Sequence, residues 1–599
     1  MKSRWIVALL LAAAPAAAAD DFRFDTSDKK IAVWGRGAEL PRTYFDEWLP
    51  AVFERTLMFR RFDPGGGALE WIFTGDRAGF TVRLDSAGVR LTQRFYDSFG
   101  FNPQEKMPRH PERVWQESSA ALPAPPRSLR VILDHRLGLA VAVDGQEVLR
   151  QTCVFDVRHH QLAFSGAQGT IEGSLERPAP ADIVVRVDPA RRYQTMLGFG
   201  GITTPMAWRE LSDAGKRRWW QLLREYNLLL HREYPMGTRL LPDMRNLDDP
   251  PDASPHYYGD NFPNGEISDF DYLREIHRIG GKVLFEFWDL PPWAVQPEAY
   301  ARAMVRYCRL SRDRAGAPPD IVGIQNERTL PAATWQEMTT RLRDELDRAG
   351  FRSVRIHMQD ASTLQAGIRS VEAFRPVWEK IDFSASHVYD YQQFFTDPDG
   401  FDPLLREFAR AAPDKPFLST EISVNNPAWQ VASYRLALAM GELYHKNLAL
   451  ANASALLYCW LLLNVEQPSY GATRSLFVPD PAHGFLPIAS SYQLRVFGAY
   501  SRKIREGMVR LEASATDPDL LVTAFAGAKG EGTLVMLNRS PRPLRVSVER
   551  QGKPFRIRET ADPYRENAAE PVPGGAVAVD PGAIVTLATE AGDNQTKLP

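Results

Sequence analysis

The sequence predicts a multidomain chain, a (β/α)8 TIM barrel with a C-terminal β-sandwich and an N-terminal β-sandwich of the jelly-roll kind. Three observations carry this prediction. Across residues 196–500, apolar runs of strand length alternate with segments of helical periodicity, eight strands in all, which implies a parallel sheet closed on itself. On either side of that region the pattern changes to short alternating segments bounded by turn residues, as antiparallel sheets require. No glycine-rich phosphate loop follows any of the eight runs, which removes the usual reason for a doubly wound open sheet.

Taken in order, the chain opens on "MKSRWIVALLLAAAPAAAADDF", which reads as a secretory signal over residues 1–19. Lys2 and Arg4 supply its positive end, Ile6 to Ala14 its apolar segment, and Ala17, Ala18 and Ala19 the small-residue cleavage site. The apolar segment is shorter than the roughly 20 residues that a membrane span needs. Cleavage would start the mature chain near Asp20, in the secreted or periplasmic space.

Residues 20–178 form the first sandwich. "FTVRLDSAGVRLTQRF" predicts a hairpin, and "LRVILDHRLGLAVAVDGQEVLRQ" predicts another with a turn at Asp144-Gly145, the dipeptide such turns favour. "ERPAPAD" is a linker, and "DIVVRVD" within 179–195 is a strand expected to join the C-terminal sandwich.

The eight barrel strands are assigned to "MLGFGG", "LLLHREYPM", "KVLFEFW", "DIVGIQNE", "VRIHMQ", "IDFSASHVY", "KPFLSTEIS" and "ALLYCWLLLN". Helical periodicity falls between them, for example in "LSDAGKRRWWQLLREYN", with Ser212 or Asp213 as its cap, and in "TWQEMTTRLRDELDRAG". Beyond residue 501 the alternation returns in "LLVTAFAG", "GTLVMLNRS", "LRVSVER" and "GAIVTLAT", a sandwich over 501–599.

Composition narrows the function. A net charge of −2 over 599 residues argues against nucleic acid or an anionic membrane as the main partner. The three cysteines, Cys153, Cys308 and Cys459, are far apart and have no zinc-ligand spacing, so they read as structural. Fourteen tryptophans are a generous supply of flat apolar surface, of the kind on which sugar rings pack.

In a barrel the active site lies where strands run out into the loops that precede helices. Asn326 and Glu327 end the fourth strand, His387 and Tyr389 the sixth, and Glu421 the seventh. Arg232 lies on the second, Trp288 after the third, with Trp293 beyond it, and Trp460 on the eighth. Two glutamates at opposed strand ends suit glycoside cleavage, where one protonates the departing oxygen and the other attacks the anomeric carbon or activates water. Arg232 and Tyr389 would keep Glu421 ionised, with Arg239 an alternative to Arg232. Burial near a second carboxylate would keep Glu327 protonated, and Asn326 would hold a sugar 2-hydroxyl. Trp288 and Trp460 would floor and wall the subsite; Trp293 and Trp208 divide evenly between site and core.

The ordered set "YQTMLGFGGIT", "FWDLPPWA", "GIQNE", "SHVYDY" and "FLSTEIS", with a trailing sandwich, resembles clan A glycoside hydrolases and above all glycoside hydrolase family 30, which includes glucosylceramidases, xylanases and β-1,6-glucanases. The N-terminal sandwich loosely resembles laminin-G or concanavalin-like domains. The family resemblance covers residues 183–590 and implies a retaining mechanism with Glu327 as acid/base and Glu421 as nucleophile. Three departures stand out: Arg328 replaces the family's Pro, Glu286 and Asp289 enter the third-strand motif, and the second-strand motif is stretched around "REYPMG".

The sequence thus points to an exported retaining β-glycoside hydrolase that acts on a poly- or oligosaccharide or glycoconjugate. The alternative is a non-catalytic glycan-binding protein built on the same barrel. The reading assigns carbohydrate as partner, no nucleic acid, no membrane insertion, no cofactor and no metal. The absence of HExxH, GxSxG and CxxC deprives metalloprotease, esterase and redox chemistry of their residues.

Overall fold

Eight parallel strands close the central barrel of the computed structural model: Gly198–Thr203, Leu228–Glu233, Lys282–Phe285, Ile321–Gly323, Arg355–His357, Ser384–His387, Phe417–Ile422 and Ala453–Leu462. The structure describes residues 20–25, 42–45, 48–75, 78–95, 113–166, 168–203, 205–233, 270–288, 292–390, 394–395, 397–424, 433–462, 475–479 and 488–589. The signal segment, Arg239, Asp289 and the side chain of Trp293 lie outside the described residues.

Each of the eight predicted strands is present. The first pairs with the second and the eighth, and pairing continues around the ring in both directions. The ring closes between fifth and sixth strands through a parallel bridge of His357 with Phe383, where the Met358 N–H donates to the Phe383 carbonyl at 3.2 Å. Strands one, four and seven are buried at every position, which is why they read as continuous apolar runs rather than as alternation. The "GFGG" opening has a steric cause. A Cβ on Gly200 would lie 1.7 Å from the Leu230 carbonyl oxygen, and one on Gly201 2.1 Å from that of Tyr458.

The helices outside the ring begin and end on local signals. Asp213–Glu225 starts from Ser212, whose side chain accepts the Gly215 N–H. Pro297–Ala315 stops at Gly316, in the left-handed conformation that glycine adopts most readily. Trp208 packs edge-on against Tyr272, with ring centroids 5.4 Å apart, and tilted against Trp220; it serves the packing beneath these helices.

The N-terminal region is two six-stranded antiparallel sheets over one shared apolar core that includes Phe53, Trp71, Phe73, Phe80 and Leu129. Ala78–Asp85 pairs with Gly88–Phe95, and Gly138–Val143 with Gln146–Thr152. The turn between the latter two has φ 49° at Asp144 and φ 83° at Gly145, the two positive values that a tight hairpin turn demands. The C-terminal region is a nine-stranded sheet into which Ala181–Thr195 inserts, antiparallel to Val509–Ala515 and parallel to Leu544–Glu549.

The N-terminal sandwich is tied to the barrel by buried polar contacts. Asp156 accepts the backbone N–H groups of Tyr434 at 2.6 Å and Arg435 at 3.1 Å, so a sandwich residue joins the N-cap Ser433 in satisfying the first turn of the helix Tyr434–Ala449. Arg435, buried, donates to the carbonyls of Cys153 and Asp134, each at 2.7 Å. Tyr564 of the C-terminal sheet donates to the Leu49 carbonyl at 2.6 Å. All three cysteines lie buried.

Candidate active site

Arg232 is the centre of the polar cluster at the strand ends. It is fully buried, and its guanidinium reaches residues from five other strands. Nε donates to Glu286 Oε1 at 2.7 Å, Nη1 donates to Glu421 Oε1, and Nη2 donates to Asn326 Oδ1 at 2.7 Å. Nη2 also lies 3.4 Å from Asp360 Oδ2 and 3.4 Å from His387 Nε2. A planar fork of donors is suited to such a junction, where a lysine would offer a point charge. Strand alternation sends the flanking His231 and Glu233 to the other face, where they pair at 2.7 Å.

Glu421 is held at both oxygens. Arg232 takes Oε1, and the Tyr389 hydroxyl donates to Oε2 at 2.7 Å. His387 bridges the two predicted glutamates, with Nδ1 2.7 Å from Glu327 Oε1 and 3.7 Å from Glu421 Oε2. One side-chain atom from each of Glu327, His387 and Glu421 lies within 4.8 Å of the others. Beneath them, Asp360 accepts from the Thr420 hydroxyl at 2.7 Å.

The backbone places Glu327 unusually. Asn326 forms an isolated parallel bridge with Asp360, and the Glu327 N–H donates to the Asp360 carbonyl at 2.8 Å. The next turn puts Glu327 at φ 43°, a left-handed conformation that costs a non-glycine residue on the order of 1–3 kcal/mol. Strain of that size at a strand end fits a side chain that must be presented to the cleft.

Electrostatics separates the acids. Burial alone would raise the carboxyl of Glu421, but the charges of His387 and Arg232 and the hydrogen bonds from Tyr389 and Arg232 outweigh it, and the net direction is downward. Burial likewise pulls the His387 imidazolium down. The charges of Glu421 and Asp360 and the hydrogen bonds to Asp360 and Glu327 overcome that and hold it up at about 10, so the ring is charged at neutral pH. Asp360 is depressed far below the ordinary range, because the imidazoles of His357 and His387 and the guanidinium of Arg232 outweigh its burial. Glu286 goes the other way. Its burial outweighs the attraction of Arg232, Asp360 adds repulsion, and its carboxyl is pushed well above the usual value.

The structure brings Arg232, Asn326, Glu327, His387, Tyr389 and Glu421 into this cluster. Two expectations change in detail. Glu327 is not buried: its side chain is 37% exposed, and its immediate neighbour is an imidazole rather than a second carboxylate. The Oδ1 of Asn326 is engaged by Arg232, which leaves its amide N–H groups as the end free to face a ligand. Trp288 and Trp460 meet edge-on with centroids 6.0 Å apart and share a small apolar group with Ile202 and Cys459. Arg328 is half-buried.

Sequence reading assigned no role to Glu286, His357, Asp360 or Thr420. Glu286 and Asp360 stand just past the third and fifth strands, so the strand-end rule that picked Glu327 also points to them. Glu286, His357 and Asp360 bring ligand-type atoms within 4.8 Å of one another, as do Glu327, His387 and Glu421. Arg232 already bonds to acids of both sets, so a cation in either would sit against its guanidinium.

No protein-family model and no curated protein matches the chain. Solved structures do match, at low identity. The catalytic domain of a glycoside hydrolase family 30 xylanase from Talaromyces cellulolyticus aligns at TM-score 0.52 and 16% identity over 68% of this chain and 100% of its own. A conserved exported protein from Bacteroides fragilis aligns at TM-score 0.55 and 13% identity over 68% and 100%. An endo-β-1,6-glucanase aligns at TM-score 0.50 and 17% identity over 68% and 94%. These likenesses show the fold.

Proposed function

We propose that this chain is an exported, retaining β-glycoside hydrolase in which Glu421 is the nucleophile and Glu327 the acid/base. The observation that carries the reading is the Glu327–His387–Glu421 group, with facing oxygens of the two carboxyl groups within 4.8 Å. A double displacement places its carboxyl groups roughly 5–5.5 Å apart, whereas an inverting site leaves a wider gap for water. The glycoside hydrolases among the fold neighbours support the same class, and the N-terminal segment supports export.

The chemistry follows from the contacts. Glu421, ionised, attacks the anomeric carbon and forms an ester as the bond to the leaving oxygen breaks. Glu327 donates its proton to that oxygen from Oε2, since His387 engages Oε1. The resulting Glu327 carboxylate then takes a proton from water, which attacks the anomeric carbon and releases Glu421. Arg232 and Tyr389 orient the nucleophile and keep it acidic, and Asn326 offers its amide to the 2-hydroxyl.

Aryl β-glycosides of several sugars, incubated with the full chain, should release chromophore with at least one member. Glu421→Gly should abolish that release, and azide should restore part of it. Undiminished turnover in Glu421→Gly excludes the assignment, and no release with any sugar favours a binding protein.

A further inference from the structure

Among the described residues five large apolar side chains are exposed, and two of them meet: Trp48, 57% exposed, and Tyr564, 41% exposed. They come from different domains. Trp48 precedes Leu49, which is fully buried in the core of the N-terminal sandwich. Tyr564 lies in the turn between Ile557–Ala561 and Glu566–Pro571 of the C-terminal sheet. The two ring centroids are 5.0 Å apart with the planes at 73°, so the pair forms a corner. The half-buried His159 packs tilted against the indole, with centroids 4.4 Å apart.

A surface tyrosine ordinarily lays its ring on apolar neighbours and keeps its hydroxyl in water. Tyr564 instead spends its hydroxyl on the Leu49 carbonyl at 2.6 Å and still leaves much of its side chain exposed. Both rings are carried on fixed backbone. The Leu49 N–H donates to the Arg158 carbonyl at 2.9 Å, which ties the residue after Trp48 to the sandwich. Asp562 Oδ1 accepts the N–H groups of Tyr564 and Arg565, each at 2.7 Å, and pins the turn. Rings held in this way bind a ligand without a further ordering cost.

Size and charge narrow the occupant. At these exposures the two side chains present on the order of 200 Å², against roughly 800 Å² per partner in a stable protein interface. That is too little for a second copy of the chain and ample for a sugar unit. The charged groups nearby are already engaged, Arg565 with Asp562 and Asp580 and Arg158 with the Tyr492 hydroxyl, so no uncompensated charge selects an ion. A neutral ligand with flat C–H faces is what an aromatic corner of this kind fits.

We propose that Trp48 and Tyr564 form a second carbohydrate-binding site, away from the strand ends of the barrel, that holds a neutral stretch of glycan. The corner exists only where the two flanking domains meet, which gives the N-terminal sandwich a part in retaining polymer. The choice of glycan as ligand rests on the glycosidase reading.

Affinity electrophoresis of the full chain tests the site, in gels that hold arabinoxylan, a β-1,6-glucan or a mixed-linkage β-glucan. Every chain run there also carries Glu421→Gln, so that the polymer is not consumed. At least one polymer should retard the chain, and Trp48→Ala should raise the apparent Kd for it about tenfold, with Trp48→Phe in between. With Glu421 intact, Trp48→Ala should leave kcat/KM unchanged on whichever aryl glycoside is cleaved. A chain that no polymer retards overturns the proposal, and so does equal retardation of Trp48→Ala. Should Trp48→Ala fail to fold, N-bromosuccinimide oxidation of the chain with native Trp48 decides the matter: the retarding polymer should protect the peptide that contains Trp48, and unprotected oxidation there refutes the site. Self-association that Trp48→Ala abolishes would assign the corner to a second copy and refute it too. If no aryl glycoside is cleaved but Trp48→Ala still loses retardation, the glycan site stands and only the glycosidase reading fails.

Discussion

Replacing Arg232 with Leu should damage stability and acidity together. The side chain is fully buried and donates to Glu421, Glu286 and Asn326, with Asp360 beside it. Two of those partners, Glu421 and Asp360, are ionised in the folded protein and would be left buried with only His387 as counter-charge. Removing one member of a buried ion pair costs about 3–5 kcal/mol, which should appear as a lower urea midpoint. The sign with pH follows from the depressed carboxyl of Glu421. Its contribution to stability is present above the ordinary carboxylate pKa and is lost as pH falls through the folded value. Without Arg232 the folded value rises, so that contribution shrinks, and the acid limb of kcat/KM moves to higher pH. Adding Glu421→Gln to Arg232→Leu should recover roughly 1.5–3 kcal/mol, the worth of a hydrogen bond to a charged group. An unchanged midpoint and an unmoved limb in Arg232→Leu would refute the role assigned to this residue.

Tyr389→Phe removes the 2.7 Å hydrogen bond to Glu421 Oε2, worth about 1.5–3 kcal/mol, and should lower kcat about 10- to 150-fold with KM little changed. The raised His387 gives stability that is complete below the ordinary histidine pKa and is lost as pH climbs through about 10; His387→Gln should flatten that alkaline decline in urea midpoints. Asp156→Ala removes the acceptor of the Tyr434 and Arg435 N–H groups in the first turn of the helix Tyr434–Ala449, leaving Ser433 as its cap, and should destabilise the chain by about 0.5–2 kcal/mol. A chain truncated before residue 179 should fail to give soluble, cooperatively unfolding protein, because buried Arg435 would lose its carbonyl partners on Cys153, Asp134 and Gly138.

The barrel was legible because its strands are buried on both faces and its helices carry their own caps, so pattern and fold report the same constraint. Glu327 and Glu421 stood out for a different reason, since two glutamates at opposed strand ends are the pair that glycoside cleavage uses. Glu286 and Asp360 occupy equivalent places but lacked an evident role, because what they do depends on Arg232 arriving between them, and that is a property of the closed ring. The exposure of Glu327 was also hidden from sequence. It follows from the turn at φ 43° after the Asn326–Asp360 bridge, a backbone feature that residue types alone do not specify. Trp208 shows the reverse limit, where an aromatic in a suggestive stretch proves to be packing.

The central claim is that Glu421 becomes covalently bonded to sugar. Activated 2-deoxy-2-fluoro β-glycosides slow the hydrolysis of such an ester more than its formation, so the intermediate accumulates. After incubation of the full chain with a panel of them, peptide mass spectrometry should find a fluoroglycosyl group on the peptide that contains Glu421, and none in Glu421→Gln. Attachment at another carboxylate, or steady cleavage of the matching β-glycoside with no adduct at Glu421, would contradict the account.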